Sequence, residues 1–179
     1  MMTPKHTAAL LLALGITLCS AVSCGGTTGT DTDTQTVTGT DTAVTEAVLP
    51  DIRTIAETLS AECSFSEPLT QNDAYLKNHL FGFMALSEQL TDYTAYIPVG
   101  VTPEEILVFE AATEADTAAI TDKLNAYVAY QISQYSDYAA SQVPKLDDPV
   151  IVVAGTTVIY VIAEDNGAAA DAVSALIGK

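Results

Sequence analysis

The most strand-like part of the chain is VIVVAGTTVIYVIA, residues 150–163. It is rich in β-branched residues, which favour strands, and Gly155 interrupts it at a position suited to a tight turn with positive φ. The stretch therefore predicts a β-hairpin. Because polar residues do not alternate with the apolar ones, we expect both faces of the hairpin to be covered near the centre of a sheet.

Two strands and a helix are predicted on the N-terminal side of this hairpin. Residues 93–99 have the composition of a strand, and Pro98 restricts it to an edge or an end. Residues 105–111, EILVFEA, predict the next strand. Residues 114–138 then carry a broad apolar stripe at helical spacing, which predicts a long amphipathic helix. A short helix over residues 168–177 is expected to end the chain.

Two short helices are predicted ahead of the first strand. Asp51 can open one, and Asn72 or Asp73 can cap another that ends at Gly82. The predicted class is therefore α+β, with a four-stranded antiparallel sheet. We expect the long helix and the C-terminal helix on one face, with the N-terminal helices partly covering the other. The predicted topology is a permuted ferredoxin-like one, with the third strand at an edge, followed by the fourth, second and first.

The N-terminus has the features of a secretory signal. Lys5 precedes an apolar run over residues 8–18, which is too short to cross a hydrocarbon core of about 30 Å because that needs about 20 apolar residues. Residues 21–23 are small and lead directly to Cys24, an arrangement that resembles the bacterial lipobox. The sequence predicts a signal peptide over residues 1–23 and a diacylglyceryl group on Cys24; the alternative is an ordinary cleaved signal.

Residues 24–48 are dominated by Thr, Gly and Asp and predict a lipid-anchored tether. They contain too little apolar surface to offset the entropy lost on ordering, so we expect disorder. Residues 49–179 then form a single domain. The implied location is the extracytoplasmic face of a bacterial cell membrane, with the covalent lipid on Cys24 as the only prosthetic group and no further cofactor.

The charge balance excludes one class of partner. Six basic and 23 acidic residues give a net charge of −17. A surface of this sign repels phosphate backbones, which argues against nucleic-acid binding. It also opposes direct adhesion to anionic headgroups, so membrane contact is expected through the lipid anchor.

Candidate reactive residues are few, and no catalytic or metal-binding residue is predicted. After loss of Cys19 with the signal and acylation of Cys24, Cys63 alone remains, and it is expected to be a small buried side chain. His79 is the only histidine outside the signal, which is weak evidence for a metal site. Tyr130 lies off the apolar stripe of the long helix and is a surface candidate.

The acidic pairs Glu104-Glu105 and Asp147-Asp148 are expected in solvated turns. Adjacent side chains on an extended chain point apart, so neither pair suits acid–base catalysis. Ser141 and Lys145 are four residues apart, not the three of the penicillin-binding motif. These observations leave the chain without a catalytic constellation.

The order strand, strand, long helix and hairpin resembles a family of small bacterial lipoproteins known only as a domain of unknown function. The residues that carry the resemblance span most of residues 73–165. They are Tyr96-Ile97-Pro98-Val99, residues 105–109, the amphipathic helix, the proline-bearing loop, residues 150–153, Gly155 and Tyr160-Val161-Ile162. A lipoprotein leader is typical of that family, and the resemblance implies no enzymatic residues.

The predicted function is that of a membrane-anchored extracytoplasmic lipoprotein, a non-catalytic binding or accessory module of the cell envelope. Its partner would be a cell-wall component, a small ligand or another envelope protein. Two alternatives remain open. One is a hydrolase acting on envelope polymers, and the other is a structural lipoprotein that forms homo-oligomers through an uncovered face of the hairpin.

Overall fold

Five strands and five α-helices lie within residues 49–178, the part of the chain that this computed structural model describes, the side chains of residues 79–82 excepted. In chain order they are α1 (Ile52–Glu62), β1 (Thr70–Gln71), α2 (Asp73–Tyr75), α3 (Phe81–Met84), β2 (Leu90–Ile97), β3 (Glu105–Ala111), α4 (Asp116–Tyr138), β4 (Val150–Ala154), β5 (Thr157–Ile162) and α5 (Asn166–Leu176). A π-helical segment, Leu76–Leu80, joins α2 to α3, and a 3₁₀ segment, Ala140–Leu146, follows α4. The predicted signal peptide, Cys24 and the tether lie outside the described residues.

The strands form one antiparallel sheet in the order β1-β2-β3-β5-β4. The α+β class is confirmed, and the four longer strands have the predicted order. The predicted strand count was wrong, because β1 pairs Thr70 with Ile97 at the far edge and adds a fifth strand. Two residues are too short to show the period of two that identifies a strand in sequence.

The hairpin β4–β5 forms as its sequence predicts. Gly155 occupies the turn with φ of 59°, a conformation that costs glycine little because it has no Cβ. All six residues of β5 are buried, so this strand is covered on both faces. Strand β4 lies at the sheet edge and is mostly half-buried.

The helices divide between the two faces of the sheet. Side chains alternate along a strand, so Leu107 and Phe109 pack beneath α4, whereas Ile106 and Val108 pack beneath α1 and α5. The first face also buries Leu76, Met84 and Leu86, from the segment that precedes β2. The second buries Ile52, Ile55, Ala56 and Leu59 of α1 with Ala169 and Val173 of α5.

The predicted placement of α4 and α5 on one face was therefore wrong, whereas the strand order predicted with the permuted ferredoxin-like topology agrees with the observed order. The physical reason is the uniformly apolar β5, which must be covered on both faces. Helix α4 and the residues around Leu76 already cover one face. The apolar stripe of α1 is narrow, and Ala169 and Val173 of α5 complete the other face.

Helix and strand limits shift by a few residues from their predictions. Asp51 caps α1 by accepting a hydrogen bond from the Arg53 amide at 2.9 Å. The second helical segment starts after its cap Asn72 as expected but continues beyond Gly82. Strand β2 begins earlier than predicted and ends before Pro98. Within residues 49–178, none of the helices combines the length and apolar character needed to cross a bilayer.

Candidate functional site

A cleft of about 160 Å³ lies where β3 begins, between the loop of residues 97–103 and α4. Its polar and aromatic lining residues come from four parts of the chain. They are Tyr75, Thr102, Glu104, Glu105, Gln131 and Tyr135. Two prolines and a glycine of the loop also line the cleft, which therefore combines apolar surface with a few convergent polar groups, as ligand sites do.

Glu105 is the first residue of β3 and is directed toward α4. Only 3% of its surface is exposed, although it lines the cleft. Gln131 donates a hydrogen bond from Nε2 to one carboxyl oxygen of Glu105 at 2.9 Å, and the Tyr127 hydroxyl lies 3.4 Å from the other. All of its hydrogen-bond partners among the described side chains are therefore neutral.

Gln131 links this carboxyl to the sheet beneath it. Its Oε1 accepts a hydrogen bond from the Tyr160 hydroxyl at 3.0 Å, and its Nε2 also donates to the Tyr127 hydroxyl at 3.0 Å. These contacts fix the orientation of the amide, because only the nitrogen can donate. Glu105, Tyr127, Gln131 and Tyr160 form one buried set, the Glu105 network, which joins β3, α4 and β5.

The Glu105 network changes the acidity of its members. Burial raises the pKa of Glu105 to about 7, and the hydrogen bonds from Gln131 and Tyr127 offset only part of that effect. Burial, followed by the charge of Glu105, also raises the pKa of Tyr75, Tyr127 and Tyr160. Near neutral pH the Glu105 carboxyl is thus divided between its protonated and ionised forms, while the tyrosines stay neutral.

Glu104 shares the end of the strand with Glu105 but has charged surroundings. Its side chain is fully buried and pairs with the Lys145 ammonium at 2.6 Å. The Ser66 amide donates to the other carboxyl oxygen at 2.8 Å. Burial alone would raise the pKa of Glu104, but the hydrogen bonds from Lys145 and Ser66 and the positive charge outweigh it, so the pKa is lowered. We call the contact between Lys145 and Glu104 the Glu104 ion pair.

The lysine of the Glu104 ion pair also contacts a serine. Lys145 Nζ donates to the Ser66 hydroxyl at 3.0 Å, across 79 residues of sequence. A lysine activates a serine only as the neutral amine, since the base must accept the hydroxyl proton. The nitrogen of Lys145 is instead held by the Glu104 carboxylate at 2.6 Å. The contact therefore joins the loop around Ser66 to the 3₁₀ segment and does not supply a base.

Of the two acidic pairs in the sequence, one is exposed as predicted and the other is not. Asp147 and Asp148 are exposed, as predicted. The placement of Glu104 and Glu105 in a solvated turn was wrong, because both are buried. Their side chains do point apart, since each has a separate set of partners. The compensating groups, Lys145 and Gln131, are distant in sequence, so nothing adjacent to the pair indicates that it is buried.

The remaining candidates lie outside the cleft or outside the described side chains. Tyr130 is 46% exposed, as expected, and its ring packs on Phe83 at 5.0 Å between centroids. His79 lies in the π-helical segment, but its side chain is not among those described. Cys63 is half-buried beside a separate, more open hollow of about 280 Å³. Burial, and then the charge of Glu62, raises its pKa, which disfavours the reactive thiolate.

Among the residues between 49 and 178 that are described, no three His, Cys, Asp or Glu side chains converge in a way that could hold a metal ion. Three residues that line the cleft were missed by sequence reasoning, namely Tyr75, Gln131 and Tyr135, and Gln131 is the one that binds Glu105. A signal for Gln131 existed, because it follows Tyr127 by four residues and continues the stripe of α4 that faces the sheet.

Fold and site together define a class: an α+β domain whose single sheet carries helices on both faces and a small polar cleft at one end. A family model described as a domain of unknown function (DUF4358) matches residues 65–163, more than half of the chain. The chain belongs to this family. The match runs from before β1 to the end of β5 and includes Glu104, Glu105, Gln131 and Tyr160. Comparisons with curated proteins and with solved structures gave no match.

Proposed function

We propose that the protein is a lipid-anchored extracytoplasmic module that binds a small ligand in the cleft at Glu105. The single observation that carries the binding role is a buried carboxyl that lines an open cleft and has only neutral described partners. Proteins seldom bury an ionisable group without a compensating charge unless it has a function. The anchoring role rests on the leader and on Cys24.

The geometry gives less support to the two alternatives. A hydrolase would need an activated nucleophile, and the serine–lysine contact at Ser66 has its amine paired with Glu104. A structural oligomer would need an uncovered face of the hairpin. Strand β5 is buried on both faces, and Val153 of β4, at 37% exposure, is the hairpin's only markedly exposed large apolar side chain. A binding module therefore remains the function that we propose.

The anchoring part is tested by replacing Cys24 with alanine in the producing bacterium. A diacylated cysteine holds a protein on a bilayer because two chains bind stably where one does not. We expect C24A to move from the membrane fraction to the soluble extracytoplasmic fraction. Cys63→Ala is the matched control, because it removes a cysteine of the domain, and it should stay with membranes. Retention of C24A in membranes would contradict the proposal.

The binding part is tested on the full chain in detergent micelles. A panel of small cationic, neutral and anionic compounds is titrated while amide chemical shifts are followed by NMR. We expect at least one compound to shift signals of residues 97–105 and 131–135 together, and the variant Tyr135→Ala to weaken that response. Tyr130→Ala removes an exposed tyrosine of the same helix outside the cleft and should leave the response unchanged. A panel in which nothing shifts these signals would count against a binding role.

A further inference from the structure

We infer that the cleft receives a small organic ammonium group, with Glu105 as its counter-ion and Tyr75 and Tyr135 as its aromatic walls. This inference rests on the proposed binding function and specifies the chemistry of the ligand. Four features of the structure support it: the missing positive charge, the aromatic lining, the size of the cleft and the charge of the whole chain.

The missing charge is the strongest of these features. The ion pairs found among the described side chains are Arg53–Asp92 and Lys145–Glu104. Lys145 reaches the same end of β3 but is already paired. Among the described side chains, Glu105 has only an amide and a hydroxyl as donors, and these stabilise a buried carboxylate less than a cation does. Because Glu105 lines the cleft, an ammonium group entering from solvent can supply the charge that the described residues do not.

The aromatic lining suits the same ligand. Tyr75 and Tyr135 both line the cleft beside Glu105. Aromatic rings attract cations through their electron-rich faces, and the attraction strengthens where water is excluded. Alkyl groups on the nitrogen also gain by leaving water for the apolar part of these walls. Burial and then the charge of Glu105 raise the pKa of Tyr75, and burial, the contacts with Tyr138 and then the charge of Glu105 raise the pKa of Tyr135.

The size of the cleft limits the ligand to a few atoms. A cavity of about 150 Å³ is known to hold one benzene molecule. The cleft of about 160 Å³ therefore fits a group such as a trimethylammonium or a short alkylammonium. The net charge of −17 favours the approach of cations and disfavours anions. An anionic or a large ligand is consequently a poor candidate for this site.

The inference requires binding to depend on the ionisation of Glu105. The titratable groups that face it are Tyr75, Tyr127, Tyr135 and Tyr160, all of which stay neutral below pH 9 because their pKa values are raised. Glu104, on the other side of the strand, stays ionised because its pKa is lowered. Among the described side chains that line or face the cleft, Glu105 is thus the group whose charge changes between pH 5.5 and 8.5.

The test uses three probes of nearly the same shape. Choline is the cation, 3,3-dimethyl-1-butanol its neutral isostere and 3,3-dimethylbutanoate the anion. Each is titrated into the full chain in detergent by calorimetry, with NMR to locate the response. We expect choline to bind at the cleft at least tenfold more tightly than either other probe. From pH 5.5 to 8.5 its affinity should rise about 30-fold, because only the ionised fraction of Glu105 is competent. Choline keeps its charge throughout that range.

Variants separate this charge effect from others. Glu105→Gln keeps the size of the side chain and should reduce choline affinity to that of the neutral isostere, with the pH dependence abolished. Should that variant fold poorly, Tyr135→Ala gives a second test and should weaken choline at least tenfold. His79→Gln removes the single histidine downstream of the leader and should preserve the pH dependence.

The outcomes distinguish the inference from the function on which it rests. Binding of the neutral or anionic probe at the cleft without choline would overturn the ammonium inference and leave a binding function in place. The same holds for choline binding that is unaffected by Glu105→Gln. Failure of all three probes and of the wider panel to shift the cleft signals would overturn both.

Discussion

Glu104 and Glu105 are neighbours in sequence, are both buried, and have opposite electrostatic environments. Glu104 pairs with a cation at 2.6 Å, and its pKa is lowered. Glu105 meets an amide and a hydroxyl, and its pKa is raised to about 7. The comparison shows that the charge of the partner, and not burial itself, decides which protonation state the fold favours.

The same comparison fixes the sign of two pH effects. Glu104 has a lowered pKa in the folded state, so its contribution to stability is present above its unfolded pKa and is lost as the pH falls through the folded value. Glu105 has a raised pKa, so the folded state binds more protons than the unfolded state between about pH 4.5 and 7. The contribution of Glu105 to the free energy of unfolding is therefore fully present below that pH window and is lost as the pH rises through it.

The largest effect is expected from Lys145→Met, which breaks the Glu104 ion pair. Methionine keeps most of the apolar body of the side chain but removes the ammonium group, which leaves the Glu104 carboxylate buried without a cation. Removal of one member of a buried pair destabilises proteins by about 3 to 5 kcal/mol. We expect a loss of that size in the free energy of unfolding at pH 7, measured by urea denaturation.

The double variant Glu104→Gln with Lys145→Met tests whether the unpaired charge causes this loss. Since the buried charge is gone, we expect the double variant to recover most of the stability. A loss below 1 kcal/mol in Lys145→Met would show that the ion pair contributes little to the free energy of unfolding. A double variant as unstable as the single one would show that the unpaired charge of Glu104 does not cause the loss.

Glu105→Gln should have an effect that depends on pH. The shift of the Glu105 pKa from 4.5 to about 7 corresponds to about 3 kcal/mol, at 1.36 kcal/mol per unit. As the pH rises from 4 to 8, we expect the variant to gain about 3 kcal/mol of stability relative to the natural chain. The measurement is urea unfolding of both proteins across that range.

All other ionisable groups are shared by the two proteins, so their difference isolates residue 105. A difference in stability that does not change with pH would mean that the carboxyl titrates at its ordinary pKa. A difference that changes in the opposite sense would mean that Glu105 is paired with a positive charge, as Glu104 is.

A smaller effect is expected from Tyr160→Phe, which removes one hydroxyl from the Glu105 network. The Oε1 atom of Gln131 then loses its donor while it remains buried. A buried acceptor left unpaired costs about 1 to 2 kcal/mol, which we expect as the loss in the free energy of unfolding. Tyr130→Phe, which removes an exposed hydroxyl, should change stability by less than about 0.5 kcal/mol. Equal effects for the two variants would contradict a structural role for the network.

The backbone of this fold could largely be predicted from local sequence. The limits of β3 agree with EILVFEA, and the hairpin follows from an apolar run broken by Gly155. Strand order was also predictable, because short connections and antiparallel pairing leave few arrangements. The sheet face on which each helix packs could not be predicted, since it depends on how much of that face the other helices already cover.

The candidate site was harder to predict than the fold. Glu104 and Glu105 look alike in sequence, and the residues that distinguish them come from distant segments. Lys145 is 41 residues from Glu104, and Gln131 is 26 residues from Glu105. Composition and spacing cannot show which polar residues meet after folding. The part that could be inferred is that adjacent strand residues have separate partners, because their side chains point to opposite faces.

The smallest effect is expected from Arg53→Met, which breaks an exposed ion pair between α1 and β2. The Arg53–Asp92 distance is 2.6 Å, the same as in the Glu104 ion pair, but these side chains are 47% and 44% exposed. Exposed pairs contribute about 0.5 kcal/mol and weaken with salt, because water and ions screen both charges. We therefore expect a loss of about 0.5 kcal/mol that shrinks in 1 M NaCl, whereas the loss in Lys145→Met should persist there. Losses of similar size and salt dependence would mean that burial does not make the Glu104 ion pair stronger than the exposed one. The different pKa values of Glu104 and Glu105 would then need a cause other than the charge of the partner in a water-excluded site.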